Sequence, residues 1–487
     1  MASLEELRQT RLEKLKKLRQ EGIEPYPAKS NRDKDIGDVV NNFDELSEKD
    51  DFTIAGRIMA LRKHGGSIFV DIYDGTGKIQ GYLKEDVLDK KSFDFFDETI
   101  DIGDFIDIKG KPVKTKRGEK SIEVNEWKIL TKTLRPLPEK WAGFKDAEEK
   151  FRKRYLDILF NKEVKDMIEK KALFWQSVRE FLMSKGFMEV ETPALEVTTG
   201  GADANPFVTH HNALDIDVYL RISAGELWQK RLMVAGFPKV FEIARIFRNE
   251  GMSAEHLQDY TQMEYYWAYA DYKMGMDLTE ELFKYIAEKT FKTHKFEING
   301  HKVDLDKKWE KYDYTETVKK FTDVDVLNTD INEIDKKLKE LGVHYDKEGD
   351  SLPRAIDALW KYCRKKLTGP GFLVGVPKDL SPLSKTMPEN PNLTERFQII
   401  IAGSELCNGY SEVNDPIDQQ ERFEKQQAMR DEGDKEAQMM DTDFIEALEY
   451  GMPPTCGLGI SERVFSFFLG KPIREQQIFP LMKPKDD

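Results

Sequence analysis

Between Phe52 and about Leu130 turn residues cut the chain into short β-rich runs, and this texture constrains the fold more than any other feature. Phe52-Thr53-Ile54-Ala55-Gly56, Ile68-Phe69-Val70-Asp71-Ile72, Ile79-Gln80-Gly81-Tyr82-Leu83, Phe105-Ile106-Asp107-Ile108-Lys109-Gly110 and Ser121-Ile122-Glu123-Val124 read as strands, with Asp74-Gly75-Thr76-Gly77 as a turn. About five short strands in roughly eighty residues suggest a small barrel, for which an OB-fold is a natural candidate. Ahead of it, Leu4, Leu7, Leu15 and Leu18 fall on one helical face, and Gly22 and Pro25 end that helix. Behind it, Pro136 and Pro138 punctuate the chain, and the charged stretch Lys145 to Tyr155 reads as a linker leading into helix. The expected division is a lead-in over 1–50, a barrel over 51–135, a linker over 136–160 and one large α+β domain over 161–487. Helical patterns around Ile331 to Leu341 and Arg354 to Lys366 mark Phe291 to about Leu367 as a helical insertion.

Composition excludes some classes. A charged fraction of 34% and a mean hydropathy of −0.62 describe a soluble chain. No run approaches the length of a bilayer helix, Ile399-Ile400-Ile401-Ala402 being too short, so no membrane association is expected. Met1 to Gly22 lacks the apolar block of a secretory signal, and the expected compartment is the cytoplasm. Cys363, Cys407 and Cys456 form no C-x-x-C pair, which argues against disulfides and thiolate zinc and for a reducing compartment. A net charge of −14 would repel a polyanion if evenly spread. It is uneven: Lys109, Lys111, Lys114, Lys116, Arg117 and Lys120 carry one acid among them, Glu119, and the first twenty residues are also basic. Nucleic-acid binding is therefore open at the N-terminal end, against the alternative of ordinary solvated faces.

The common nucleotide signatures are absent. Gly75-Thr76-Gly77-Lys78 lacks the leading glycine of a P-loop, and no G-x-G-x-x-G follows a strand. Three segments stand out instead. Gly186-Phe187-Met188-Glu189-Val190-Glu191-Thr192-Pro193 ends a helix at glycine and starts a strand that proline stops. Phe241 to Phe247, then Arg248-Asn249-Glu250-Gly251, a polar loop and Thr261 to Tyr269 form a hairpin, whose alternation puts Gln262, Glu264, Tyr266 and Ala268 on one face. Gly457-Leu458-Gly459-Ile460-Ser461-Glu462-Arg463 is a glycine-rich strand running into a helix, with arginine at the junction.

These three segments resemble motifs 1, 2 and 3 of the class II aminoacyl-tRNA synthetases. Phe207-Val208-Thr209-His210-His211-Asn212-Ala213-Leu214-Asp215, Trp267-Ala268-Tyr269-Ala270-Asp271-Tyr272-Lys273, Asn408-Gly409-Tyr410-Ser411-Glu412-Val413-Asn414-Asp415 and Leu134-Arg135-Pro136-Leu137-Pro138 are similar to the lysyl-tRNA synthetases. The resemblance implies an OB-fold that reads the anticodon, a six-stranded antiparallel catalytic sheet flanked by helices, and a homodimer formed partly through motif 1. It implies ATP and Mg2+, activation of L-lysine to lysyl-adenylate and transfer to tRNA(Lys). Such displacements need charge neutralisation and alignment more than a strong base.

By matching position, the resemblance assigns Arg248 to the α-phosphate and the amino-acid carboxylate, Glu250 and His256 to the nucleotide, and Tyr260 to stacking on adenine, where phenylalanine is commoner. Arg463 would cover the adenine and reach the γ-phosphate. Glu226, Glu412 and Tyr266 would receive the substrate ε-ammonium, Glu264 and the backbone at Gly201 the α-amino group, and Asn408 the carboxylate. Two glutamates aimed at one cation speak for lysine, since an aspartate site would need a basic residue; the bland reading of Glu226 is an acid at a helix start. Glu405 matches a metal-binding glutamate, but Gln398 stands where the family has a second one. Arg62, Phe69, Gln80 and Glu119 match anticodon-contacting positions, with Phe69 also readable as barrel core, and the Lys114 to Lys120 run would track phosphates. The chain departs from the family pattern again in a motif 3 one residue short, with Glu462 for aspartate, and in an extra residue near Gly225. The alternatives are an aspartate or asparagine relative, a paralogue that binds RNA without forming adenylate, and a relative that lysylates protein.

Overall fold

The computed structural model describes residues 3–46, 51–138, 147–251, 253, 255–343, 352–434 and 436–485. The chain divides into two compact units, Met1–Lys145 and Asp146–Asp487. In the first, the helix Leu4–Gln20 opens on a capping box: Glu6 N donates to Ser3 Oγ at 3.2 Å and Ser3 N to the Glu6 carboxylate at 2.6 Å. Only the second half of its apolar face is used. Leu15 and Leu18 are buried, whereas Leu4 and Leu7 are exposed. Arg11 is buried between them because its guanidinium donates to Thr133 Oγ1 and to the carbonyl of Ile102, at 2.5 and 3.0 Å.

Five strands, Phe52–His64, Ser67–Tyr73, Lys78–Lys84, Lys120–Thr131 and Phe105–Lys114, close into a barrel in that spatial order. Ile68, Val70 and Ile72 alternate into a core shared with Ile54, Ile108 and Ile122. The strand Phe105–Lys114 slips register at Lys109/Gly110, where a Cβ on Gly110 would lie 2.0 Å from the Glu123 carbonyl oxygen. Asp74 holds the expected turn by accepting from the Thr76 and Gly77 amides at 2.9 and 3.0 Å.

The second unit is built on a ten-stranded sheet. Gly371–Pro377, Asn390–Ile401, Asn408–Ser411, Thr455–Ser461, Asp259–Ala268 and Lys239–Phe247 run antiparallel in that order, giving the six strands expected. Parallel edge strands, Glu310–Asp313 and Met188–Glu189, flank them, and two short strands pair with Asn390–Ile401. The helices Lys162–Ser184 and Tyr272–Ile286 share a core with Met263, Tyr265 and Leu458 of the sheet.

Two expectations need correction. Residues 139–146 of the expected linker lie outside the described residues, but Ala147–Arg152 and Arg154–Phe160 are helices of the second unit. Arg154 and Asp157 pair there at 2.7 Å in a buried ion pair that a solvated linker would not form. The segment from Phe291 is not all helical. Lys295–Ile298 and His301–Asp304 form a hairpin, because Ile298 and Val303 alternate into the main core, and Glu310–Asp313 joins the sheet. Its helices Tyr314–Thr322, Ile331–Glu340 and Leu352–Arg364 form a second core against Leu373, Val376 and Ile400 of the sheet, with Tyr314 stacked on Trp360 at 5.0 Å.

Candidate active site

Alternation along the strand Asp259–Ala268 builds the site. Met263 and Tyr265 enter the helix-packed core, while Gln262, Glu264 and Tyr266 face a cavity of about 380 Å³. The neighbouring strand makes room with glycine. Gly457 pairs with Tyr266, and a Cβ there would meet Glu412 Oε1 at 2.2 Å and the Tyr266 ring at 2.6 Å. Gly201, at φ +85°, is drawn against Glu226 so closely that a Cβ would lie 2.6 Å from the Glu226 Cβ.

One end of the cavity is acidic. Glu226, Glu264 and Glu412 are only 5%, 3% and 1% exposed. Glu226 is the first residue of the helix Glu226–Val234, entered through Gly225 in the left-handed region, so its bland reading and its cavity position coexist. Glu264 accepts from Ala224 N at 2.8 Å, Gln262 Nε2 at 2.6 Å and Tyr266 Oη at 3.0 Å, yet burial, reinforced by Glu226, pushes its carboxyl up to about 7. Glu226 accepts from Lys230 Nζ at 2.7 Å and from Tyr410 Oη. Among the described residues neither oxygen of Glu412 receives a hydrogen bond; Lys230 Nζ makes an ion-pair contact at 2.5 Å to Oε2. Burial drives the Glu412 carboxyl well above the usual range against the pull of Lys230. A buried carboxylate left with an open acceptor is costly and is a ready site for a cation.

The other end is basic. Arg248 follows the strand Lys239–Phe247, donates Nε to the Ile222 carbonyl at 3.2 Å and holds its guanidinium 5.9 Å from the centre of the Tyr260 ring. Arg463 opens the helix Arg463–Leu469, donates to the Glu405 carbonyl at 3.1 Å and pairs with Glu255. His256 Nδ1 lies 2.8 Å from Ser253 Oγ. Asn408 Oδ1 accepts from Arg396 Nε at 2.8 Å. Glu405 Oε1 accepts from Trp360 Nε1 at 2.5 Å, and Gln398 lines the same wall.

The cavity thus gathers Arg248, His256, Tyr260 and Arg463 with Gly201, Glu226, Glu264, Tyr266, Asn408 and Glu412, and adds Gln398 and Glu405. Glu250 is the exception. It does not line the cavity; the chain turns there and its carbonyl accepts from Gln258 Nε2 at 3.0 Å. Glu462 also lies away from the cavity, fully buried and paired with Lys171 at 2.6 Å. Sequence reading missed Arg396, Glu255 and Lys230. Arg396 carried a signal, since it stands two residues before Gln398 on one strand and so on the same face.

In the first unit, cross-strand pairing joins Arg62 to Phe69, Phe69 to Tyr82 and Asp71 to Gln80. Phe69 is outside the barrel core, half-buried and stacked on Tyr82 with ring centres 4.6 Å apart and planes 6° from parallel. Arg62 pairs with Asp71 at 2.8 Å, and Gln80 Oε1 accepts from Ser121 Oγ at 3.0 Å. Glu119 is exposed in the turn between Phe105–Lys114 and Lys120–Thr131, where its carbonyl accepts from Thr115 N at 3.0 Å. The basic run is less free than its sequence suggests, because Lys114 and Lys120 both pair with Asp44, at 2.7 and 3.4 Å.

A family described as tRNA synthetases class II (D, K and N) matches residues 146–483, and an OB-fold nucleic acid binding domain matches residues 52–130. Among similar proteins, a lysine–tRNA ligase of Thermotoga maritima is 45% identical over 99% of this chain and 97% of its own length. One from Carboxydothermus hydrogenoformans is 45% identical over 99% of both chains, and one from Thermosipho africanus is 44% identical over 99% and 97%.

Proposed function

We infer the activity from kinship and site together: the chain belongs to the class II tRNA synthetases and, within them, to the lysyl-tRNA synthetases. It is a lysine–tRNA ligase that uses ATP to activate L-lysine and then charges tRNA. One observation carries the assignment of residues. Glu412, buried and with an open acceptor oxygen, shares a cavity with Glu226 at one end and with Arg248 at the other.

In this reading lysine lies along the cavity with its ε-ammonium against Glu226, Glu412 and Tyr266. Glu264 and the Gly201 backbone take the α-amino group, and Asn408, oriented by Arg396, takes the carboxylate. Arg248 holds that carboxylate and the α-phosphate together, since one guanidinium fork serves both anions. The carboxylate oxygen attacks the α-phosphorus, pyrophosphate leaves, and a terminal ribose hydroxyl of tRNA later displaces AMP. Tyr260 offers the face of its ring to adenine, with Arg463 and His256 near the phosphates. Glu250, two residues after Arg248 and outside the cavity lining, is proposed to meet the nucleotide at the mouth of the site.

A magnesium ion fits here only as an ion brought by the triphosphate. Among the described residues no group of three or more acidic, histidine or cysteine side chains is arranged to hold a metal ion, and one Glu405 oxygen already accepts from Trp360. Glu405 and the Gln398 amide oxygen would hold it, and it would neutralise phosphate charge. For the dimer, Leu195 and Ile216, which the register puts on one face of a three-stranded sheet just after motif 1, are exposed apolar residues, as is the neighbouring Val197. Such a patch suits a two-fold interface, and we assign it to a homodimer. No described helix is long and apolar enough to cross a membrane. We assign the enzyme to the cytoplasm, where its tRNA substrate is used.

The direct test is exchange of pyrophosphate into ATP with a panel of amino acids. Lysine is expected to support it and aspartate and asparagine are not; exchange with either of those, or none with lysine, would overturn the reading. On the barrel, Arg62, Phe69, Gln80 and Glu119 are proposed to read the anticodon, with Tyr82 extending the stack. Phe69→Ala is expected to raise the KM for tRNA in aminoacylation by about 10- to 100-fold, the worth of one stacked base. Pyrophosphate exchange without tRNA should not change. An unaltered tRNA KM would remove Phe69 from the interface.

A further inference from the structure

The helix Glu226–Val234 places Lys230 one turn beyond Glu226, with 1% of the residue exposed. Its Nζ lies 2.7 Å from Glu226 Oε1 and 2.5 Å from Glu412 Oε2, among the rings of Tyr266, Tyr410 and Phe444 at 5.8, 5.6 and 5.9 Å. A lysine pocket that buries a lysine of its own could be filled by that side chain or backed by it. The lining decides: Glu226, Glu412, Tyr266 and Tyr410 border the cavity and Lys230 does not. Glu412 is divided between the two sides. Oε2 meets Lys230, while Oε1 occupies the space left by Gly457.

We propose that Lys230 is a specificity-determining residue, a fixed cation behind the two glutamates that leaves them one net negative charge for one substrate ammonium. The proposal rests on the lysine-pocket reading above. Two buried carboxylates sharing a site hold a proton to still higher pH without a cation than with one, and an incoming ammonium must displace it. The other titratable groups near the pair are Glu264 and Tyr266 from one strand, Tyr410 from the next and Cys456 from the strand between. All of them become negative when they ionise, and the helix Thr442–Glu449 contributes only the uncharged Phe444. Burial alone would lower the Lys230 pKa, but Glu226 and Glu412 more than offset it and keep the ammonium charged.

Lysine KM and kcat in pyrophosphate exchange, measured from about pH 6 to about pH 9, test the role. Lys230→Met is expected to raise the lysine KM by about 10-fold or more near pH 7, with the ratio to wild type closing as pH rises and the pair ionises. Lys230→Arg should restore the wild-type profile. A ratio constant with pH, the signature of a purely structural defect, would overturn the proposal. Should Lys230→Met not fold, the background Glu412→Gln supplies a second test. There Glu226 and Lys230 cancel, so adding Lys230→Met restores one net negative charge and should lower the lysine KM by about 10-fold. No change, or a rise, would refute the role of Lys230. If Glu412→Gln alone leaves the lysine KM unaltered, it is the pocket reading that fails.

Discussion

Arg248→Met is expected to lower lysine-dependent pyrophosphate exchange by about 10³-fold or more, the scale on which arginine stabilises charge in phosphoryl transfer. The reason is geometric. Arg248 stands where the strand Lys239–Phe247 ends, beside Tyr260 and in the cavity that also holds the acidic cluster. A side chain there can touch both the activated carboxylate and the phosphate it attacks. The cost to the fold should be small, since one hydrogen bond, Nε to the Ile222 carbonyl at 3.2 Å, is lost, about 1 kcal/mol. Arg248→Lys keeps the charge but not the fork, and should recover only part of the rate. Single-turnover adenylate formation beside thermal unfolding separates the two effects. A methionine variant within tenfold of wild type would dissociate Arg248 from the chemistry.

Much of this site is legible in the sequence because it is built by alternation. Once Asp259–Ala268 is a strand, period two alone puts Glu264 and Tyr266 on one face and Met263 and Tyr265 on the other. The six antiparallel strands are implied by the family resemblance and not by this pattern. What stays hidden depends on burial at long range. Lys230 lies four residues after Glu226 and reads as an ordinary helix-surface pair until Glu412, just past the strand Asn408–Ser411, meets it. Leu4 and Leu7 share helical spacing with Leu15 and Leu18, yet nothing in the periodicity says that Arg11 will be held by Thr133 and Ile102. Lys114 and Lys120 look free in a basic run because their partner, Asp44, is some seventy residues away. Glu250 differs again: a motif fixes its position along the chain but does not say that it stays out of the cavity lining.

Glu412→Gln is expected to raise the lysine KM by about 10²- to 10³-fold, the cost of deleting one member of a buried charge arrangement. Glutamine keeps the shape, so the loss reports charge. With Glu226 and Lys230 then cancelling, the substrate ammonium would enter a neutral cage, and discrimination against an amino acid with a methyl group in place of the ammonium should collapse. The free enzyme should respond in the opposite sense. Burial holds the Glu412 carboxyl well above its unfolded value, so the folded state keeps this proton to higher pH than the unfolded chain does. Its contribution to stability is therefore greatest at acid pH and declines as pH rises above the ordinary carboxylate range. The variant has no such proton to lose. Its Tm relative to wild type, both without lysine, should rise between about pH 5 and about pH 8, and saturating lysine should stabilise the wild type selectively. A Tm difference independent of pH would mean that Glu412 is ionised throughout without strain. The cavity would then lack the unmet negative charge on which its preference for lysine depends.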